Sequence, residues 1–375
     1  MSKKKIIASI SVARSDFDRL SNFYEKLDQS KKYRIELAVG AGHNNHSLGK
    51  TIKSVNSSNL TISKKIRYSK KYSKQSSLII EDLSSWFSVI KPDAFLILGD
   101  RYEMLAAAHT AVLNNIPIIH IGGGHVTQGA IDDKIRNAIT KLSSIHFVAS
   151  KKCATRVIAM GEKKDKVFIT GAPEIDMILR TKLIKKDIFF KKYKLNKKRK
   201  LILATIHPET TEDKKTNISY ADVLEKYLES LESQVIITAP CADPHHEVFI
   251  KMCKTLSKNN KNIIYIPYLG IQSYISAMKY STCVFGNSSS GIIEAASFNT
   301  PVINIGSRQK NRDRAINVID TKIQLTELKK AFATANSKNF RKKCLFSKNP
   351  YGEGKFFQKS CLILNKIEWP IKTVK

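Results

Sequence analysis

The sequence has no long apolar run. No stretch approaches the ~18–20 consecutive apolar residues of a membrane-crossing helix, although 42% of the 375 residues are hydrophobic. Its six cysteines, Cys153, Cys241, Cys253, Cys283, Cys344 and Cys361, form no C-x-x-C pair. Zinc-ligand spacing is therefore missing, no metal is expected, and the cysteines read as scattered reduced thiols. Acidic residues are scarce: 32 Asp and Glu stand against 64 Lys and Arg, a formal charge of +32. That excess invites a nucleic-acid reading, but no recognition motif accompanies it. The lysines run along the whole chain, from Lys3–Lys5 through Lys64-Lys65, Lys185-Lys186 and Lys197–Lys200 to Lys342-Lys343, and are not expected to interleave with aromatics on one helix. The expectation is a basic surface without a nucleic-acid partner, able to concentrate a small anion. The first apolar segment, Ile6–Val12, lacks a G-x-G-x-x-G turn after it, which excludes the usual dinucleotide fingerprint and a nicotinamide cofactor. The same segment is too short for a signal peptide and is followed by Arg14 and Asp16. It reads as a first strand, with a cytoplasmic address and no membrane partner.

What is present is a repeated alternation of strand and helix patterns. Strands are expected at Ile6–Val12, Ile35–Val39, Ala94–Leu98, Ile116–Ile121, Ile145–Ala149 and Val167–Thr170. Between them lie helical spacings at Asp16–Gln29, Gln75–Ile90, Met104–Asn114, Asp132–Leu142 and Ala154–Met160. Such β-α repetition implies a parallel, doubly wound sheet. A break falls near Gly171-Ala172-Pro173, and the lysine-rich residues 181–200 read as a linker or surface helix. The pattern restarts with strands at 201–206, 234–238, 263–266, 282–285 and 301–305, and helices at 220–230, 247–257, 271–280, 291–298 and 325–334. The expected fold class is α/β, with two Rossmann-like domains and a cleft between them. We place them at residues 1–175 and 176–350, with a C-terminal helix and tail over 351–375.

Chemistry gathers at the carboxyl ends of the expected strands, the ligand-binding edge of open α/β sheets. Gly286-Asn287-Ser288-Ser289-Ser290-Gly291 follows the apolar Cys283-Val284-Phe285 and opens a helix carrying Glu294. A small polar turn of this kind offers backbone N–H groups, hydroxyls and a positive helix end to a phosphate or diphosphate. It is equally the composition of an ordinary strand-to-helix loop with a serine cap. Three further strand ends carry polar residues: Gly99-Asp100-Arg101, His207-Pro208-Glu209-Thr210, and Gly306-Ser307-Arg308-Gln309.

Taken in order, these motifs resemble one family. They are joined by Ile131-Asp132-Asp133-Lys134-Ile135-Arg136-Asn137-Ala138 and by Asn349-Pro350-Tyr351-Gly352-Glu353-Gly354. The chain is similar, from about Arg14 to Gly354, to the hydrolysing UDP-N-acetylglucosamine 2-epimerases and their relatives acting on diacetamido sugar nucleotides. The resemblance implies a glycosyltransferase-B type fold and a nucleotide-sugar substrate. It also implies no cofactor and a homo-oligomer, dimer or tetramer. It places Ser288, Ser289 and Gly291 at the diphosphate, with Asn287 and Ser290 in the same turn. Glu294 falls at the ribose, Arg14, Arg101 and Arg308 around the phosphates, and His207 near the glycosidic phosphate. Asp100 and Asp132 match the family's carboxylates, with Arg136 one helical turn beyond Asp132.

The chain departs from the family at one loop. Where active members carry Glu or His, then Gly-Gly, then Asp or Glu, this sequence reads Gly122-Gly123-Gly124-His125. The family's Arg-His pair is Arg136-Asn137 here, and an Asn that commonly meets the nucleoside is Cys241. Three readings follow. His125, an imidazole of a type suited to proton transfer, or another group replaces the lost carboxylate. The glycine loop makes room for a larger sugar. The chain binds without turning over. A glycosyltransferase on the same fold is the remaining enzymatic alternative. His43 and His46 lie in a loop after the second strand, and His245-His246 read as surface residues.

Overall fold

The computed structural model describes residues 4–40, 43, 55, 60–127, 131–241 and 243–372, and at Arg14 and Ser15 the backbone alone. The chain divides into two compact units. The first comprises Met1–His125, Ile131–Met177 and Gly354–Lys375, the second Val126–Ala130 and Ile178–Glu353.

In the first unit the order is β1 (Lys5–Ser11), α1 (Arg14–Asp28), β2 (Tyr33–Gly40), β3 (Ile62–Ile66), α2 (Tyr72–Ile90), β4 (Ala94–Leu98) and α3 (Tyr102–Leu113). It continues with β5 (Ile118–Ile121), α4 (Ile131–Leu142), β6 (Ile145–Val148), α5 (Lys151–Ala159), β7 (Val167–Ile169) and α6 (Pro173–Arg180). The seven strands form one sheet in the order β3-β2-β1-β4-β5-β6-β7, and every pairing is parallel. Side chains alternate between its faces. Ile7 enters one apolar cluster with Phe23, Leu37 and Leu96, while Ala8 and Ile10 enter another with Leu83, Phe95 and Ile97. A sheet covered on both faces explains why its central strands read as unbroken apolar runs.

The second unit contains α7 (Lys186–Lys192), β8 (Leu201–Thr205), α8 (Lys214–Glu229), β9 (Gln234–Thr238), α9 (His246–Asn259) and β10 (Ile263–Tyr265). Next come α10 (Ile271–Tyr280), β11 (Cys283–Gly286), α11 (Ser289–Ile293), β12 (Val302–Ile305), β13 (Val318–Thr321), α12 (Leu325–Asn336) and α13 (Lys338–Leu345). Its six strands are again all parallel, in the order β10-β9-β8-β11-β12-β13.

The last helix, α14 (Phe356–Lys366), packs within the first unit. Phe356 and Phe357 lie 5.4 and 5.9 Å from the Phe23 ring. The Asp176 carboxylate accepts the backbone N–H groups of Phe356 (2.8 Å) and Phe357 (3.2 Å), two donors that a helix start leaves orphaned. At the other end the Tyr33 hydroxyl donates to the Leu364 carbonyl at 2.7 Å.

The strand-helix alternation matches the expectation, with ends shifted by a few residues. The expected helix over 291–298 is the short α11 followed by a 3-10 turn, Ala295–Phe298. Four elements were not expected: β3, β13, α6 and α13. Both strands are sheet edges with little buried surface, and Ile66 is the one buried residue of β3. Edge strands carry too few core-facing residues to announce themselves by hydropathy. Among the described residues no helix is long and apolar enough to cross a membrane.

Two histidines sit inside the first sheet, paired in register across β5 and β6. His120 Nε2 meets the Gly99 carbonyl at 2.9 Å and Nδ1 meets Thr140 Oγ1 at 3.2 Å. Burial lowers its pKa to about 4. His146, whose Nε2 lies 3.2 Å from Glu162, is also lowered by burial. The unfolded chain therefore binds protons below about pH 6.5 that the folded chain refuses. Stability is whole above that pH and falls toward pH 4, by at most about 1.4 kcal/mol per pH unit per histidine. The thermal midpoint should drop as the pH is lowered from 7 to 5, and a flat profile would contradict neutral buried imidazoles. Asp176→Ala should cost about 1–2 kcal/mol, as for a lost helix cap, and expose α14 to limited proteolysis. An unchanged midpoint and cleavage pattern would remove Asp176 from that role.

Candidate functional site

Polar residues collect at the carboxyl edge of each sheet. In the first unit the organising side chain is Arg136, projecting from α4 and almost fully buried. Its Nε donates to Asp100 Oδ2 at 3.0 Å, and Nη2 reaches the same oxygen. Its Nη1 donates to the His125 carbonyl at 2.7 Å and to Asp133 at 2.8 Å. A guanidinium removed from water must have its N–H groups occupied, and here the loop after β4, the loop after β5 and the start of α4 supply the acceptors. Asp100 keeps a third of its side chain exposed, and its Oδ1 accepts no hydrogen bond among the described residues.

The neighbouring strand ends add charge. Arg101 forms a two-point pair with the buried Glu103, at 3.1 and 2.8 Å. Asp16 accepts the backbone N–H groups of Val12 and Ala13. Burial raises its pKa, opposed by Arg101 and Arg19. His43 Nε2 lies 2.9 Å from Ser11 Oγ. Burial, reinforced by Arg101, lowers its pKa to about 4. His120 links Gly99, at the end of β4, to Thr140 on α4, so it braces the two elements that carry Asp100 and Arg136.

Gly122 has φ 94°, a backbone region L side chains rarely adopt, while the nearest neighbours of a Cβ there would be Gly99 N and Cα at 3.8 and 3.9 Å. Space is available at the position; the backbone conformation favours glycine. The His125 imidazole places Nδ1 3.9 Å from Cys153 Sγ on α5.

In the second unit the corresponding centre is Glu209, which is 4% exposed. Its carboxylate accepts the Ser307 backbone N–H (3.1 Å) and hydroxyl (3.0 Å), the Arg308 N–H (3.3 Å) and an Asn287 amide N–H (3.4 Å). The loops after β8, β11 and β12 thus meet on one anion. Gly306 is required by this approach, since a Cβ there would collide with the carboxylate and its φ is 69°. Asn287 exchanges two bonds with the His207 backbone, at 2.7 and 2.9 Å, joining the ends of β8 and β11.

His207 Nδ1 accepts the Cys241 backbone N–H at 3.0 Å. That bond puts the proton of a neutral ring on Nε2. Burial, aided by Arg308, lowers its pKa to about 4, so the ring is neutral at physiological pH and donates from Nε2. The Arg308 guanidinium pairs with Asp243 at 2.8 Å and reaches the Pro208 carbonyl at 3.3 Å. Ser288 caps α11, its Oγ 3.4 Å from Ser290 N.

The expected site residues therefore fall into two groups. Asp100, Arg101, His125, Asp132 and Arg136 lie at the edge of the first sheet. His207, Asn287, Ser288, Ser289, Ser290, Gly291, Glu294 and Arg308 lie at the edge of the second. The Arg14 side chain lies outside the described residues. Asp133, Glu209 and His120 were assigned no role from the sequence. Glu209 stood inside a quoted motif, and the glycine and serine at 306 and 307 were the matching signal.

A family model described as UDP-N-acetylglucosamine 2-epimerase matches residues 25–365. The chain is 35% identical over 351 residues to a GDP/UDP-N,N'-diacetylbacillosamine 2-epimerase (hydrolyzing) of Campylobacter jejuni, covering 91% of this chain and 90% of that one. It is 32% identical over 370 residues to a UDP-N,N'-diacetylbacillosamine 2-epimerase (hydrolyzing) of Legionella pneumophila, covering 97% and 96%. In fold it is similar to the crystal structure of UDP-GlcNAc 2-epimerase from Neisseria meningitidis bound to UDP-GlcNAc, with TM-score 0.82, 18% identity and coverage of 97% and 100%. It is more distantly similar to the lipopolysaccharide outer core galactosyltransferase WaaB, with TM-score 0.53, 14% identity and coverage of 96% and 100%. The two parallel sheets have the glycosyltransferase-B type of fold. With the model and both epimerases matched along nearly the whole sequence, this chain belongs to the UDP-N-acetylglucosamine 2-epimerase family.

Proposed function

We propose that this chain is a hydrolysing 2-epimerase acting on a nucleotide-activated 2-acetamido sugar, with the UDP-linked diacetamido sugar preferred to UDP-N-acetylglucosamine, and that its free product serves nonulosonic acid synthesis. The observation that carries the reading is the near full-length likeness to two hydrolysing diacetamido-sugar epimerases. The space beside Gly122 supports room for a further substituent.

A base removes the proton at C2 while the C1–O bond breaks and its electron pair leaves on the nucleoside diphosphate. The product of that step is an unsaturated glycal. Water then adds across the double bond, hydroxyl to C1 and a proton to C2 on the opposite face, giving the free 2-epimer. We assign proton removal to Asp100, whose Oδ2 is fixed by Arg136 while Oδ1 accepts no bond among the described residues. Asp132, in the first turn of α4, is assigned proton return. The diphosphate is assigned to Ser288, Ser289, Ser290 and Gly291, with Asn287 holding their turn. Arg101, Arg308 and Arg14 supply positive charge, and Glu294 is assigned the ribose. His207, neutral and carrying its proton on Nε2, donates to the departing oxygen. No cofactor or metal is required by this scheme, and a homo-oligomer is expected.

Incubation with UDP-N-acetylglucosamine and its diacetamido analogue in deuterated water, followed by NMR, should give UDP and a free 2-epimer bearing deuterium at C2. UDP release that depends on an added acceptor would indicate transfer, and binding without release would indicate a non-catalytic relative. Asp100→Asn should lower kcat by about 10²–10⁴-fold, the range for a lost general base, while UDP affinity stays within about threefold of wild type by the same argument, since the substitution leaves the diphosphate groups intact. Full activity in that variant would remove Asp100 from the chemistry. Because Arg136 donates to the main-chain carbonyl of His125, which the substitution keeps, His125→Ala should retain most turnover; a loss comparable to Asp100→Asn would assign the imidazole as the second acid-base group.

A further inference from the structure

Behind the serine turn lies an unbroken chain of hydroxyl groups. Thr238 Oγ1 on β9 is 2.6 Å from Thr205 Oγ1 on β8. Thr205 Oγ1 is 3.3 Å from the Tyr274 hydroxyl on α10. That hydroxyl is 2.6 Å from Ser290 Oγ, and Ser290 Oγ is 3.0 Å from Ser288 Oγ. All five belong to the second unit.

A hydroxyl carries one proton, so the direction of donation along the chain can be counted. If the protons run inward, from Ser288 toward Thr238, the last one sits on Thr238, which is 6% exposed and has Thr205 as its one hydrogen-bond partner among the described residues. A buried donor without an acceptor bears the full desolvation penalty. If they run outward, Thr238 is only a donor, each following oxygen accepts one proton and passes one on, and Tyr274 donates to Ser290. The two serines then share one proton between them, and the other has no acceptor in the turn. Unused lone pairs on Thr238 are the lesser cost.

We propose that Tyr274 is a positioning residue: its hydroxyl, fed by Thr205 and Thr238, occupies Ser290 and leaves the Ser288–Ser290 pair with one O–H directed at an acceptor-only ligand, an anionic phosphate oxygen. The inference rests on the diphosphate assignment above and deepens it. Successive donation along the chain polarises each bond and strengthens the terminal donor. Burial, with the nearby Glu294 charge, raises the Tyr274 pKa, so the phenol keeps its proton at working pH.

The test is calorimetric titration of UDP into the wild-type chain and into Tyr274→Phe, with circular dichroism to verify folding. The phenylalanine variant should bind UDP about 3- to 10-fold more weakly, the scale of one hydrogen bond. Repeated in a Ser288→Ala, Ser290→Ala background, the same substitution should have almost no effect, because its route to the ligand is gone. Unchanged affinity in Tyr274→Phe, or an equal loss in both backgrounds, would overturn the proposal while leaving the diphosphate assignment intact. Failure of the wild-type chain to bind UDP would overturn that assignment and this inference with it. Should Tyr274→Phe not fold, Thr205→Val carries the test, with about a twofold to threefold loss expected from weaker polarisation and no loss overturning it.

Discussion

The second unit is organised around one buried anion. Glu209, on the loop after β8, has four donors in reach, one from the loop after β11 and three from the loop after β12. Each charge-assisted bond is individually worth about 1.5–3 kcal/mol, yet burying the carboxylate costs a comparable amount. The net contribution to stability is therefore small, and the gain is geometric. No loop can shift without leaving a charge unpaired in a poorly solvated place. His207, the serine turn and Arg308 are all attached to the loops so fixed, and Gly306 exists as a glycine because the carboxylate sits where a side chain would begin.

The first unit solves the same problem with the opposite sign. Arg136 is a buried cation whose acceptors come from the loops after β4 and β5 and from its own helix. A planar guanidinium dictates angles as well as distances, so Asp100 is held through one oxygen in a defined plane. His120 adds an uncharged brace between the same two elements. A neutral imidazole suits that place because a second cation beside Arg136 would be repelled; burial and that charge both depress its protonation.

The sequence disclosed these elements unevenly. The apolar runs at 94–98, 234–238 and 301–305 are strands buried on both faces, and hydropathy alone locates them. Ile62–Ile66 escaped notice because Ser63 and Lys65 are exposed and the half-buried Lys64 between them is charged, on a strand at the sheet edge. Helix α8 begins at Lys214, earlier than the expected 220, because its first turns bury little and its start is set by the Asp213 side chain on Thr216 N. The site was legible as a set of strand-end motifs. The partners were not, since Asp100 and Arg136 are 36 positions apart and Glu209 and Ser307 are 98 apart. Helical spacing drew attention to Asp132, one turn before Arg136, whereas the bond Arg136 makes within the helix is to Asp133; contacts made through a sheet leave no spacing signal at all.

Gly122 shows how a missing side chain changes the argument about mechanism. A Cβ there would meet nothing closer than 3.8 Å, but at φ 94° the backbone of a non-glycine residue would be strained by about 1–2 kcal/mol. The loop has thus settled into a conformation that glycine supports, and Gly122 N–H is spent on the Phe147 carbonyl at 3.0 Å. Its geometry is set by the sheet below it, independently of any acid or base. The proposed proton transfer is accordingly assigned to groups fixed by other means. Asp100, to which we assign proton removal, has Oδ2 held by Arg136 in a fixed plane, while Oδ1 accepts no hydrogen bond among the described residues and stays available to a substrate.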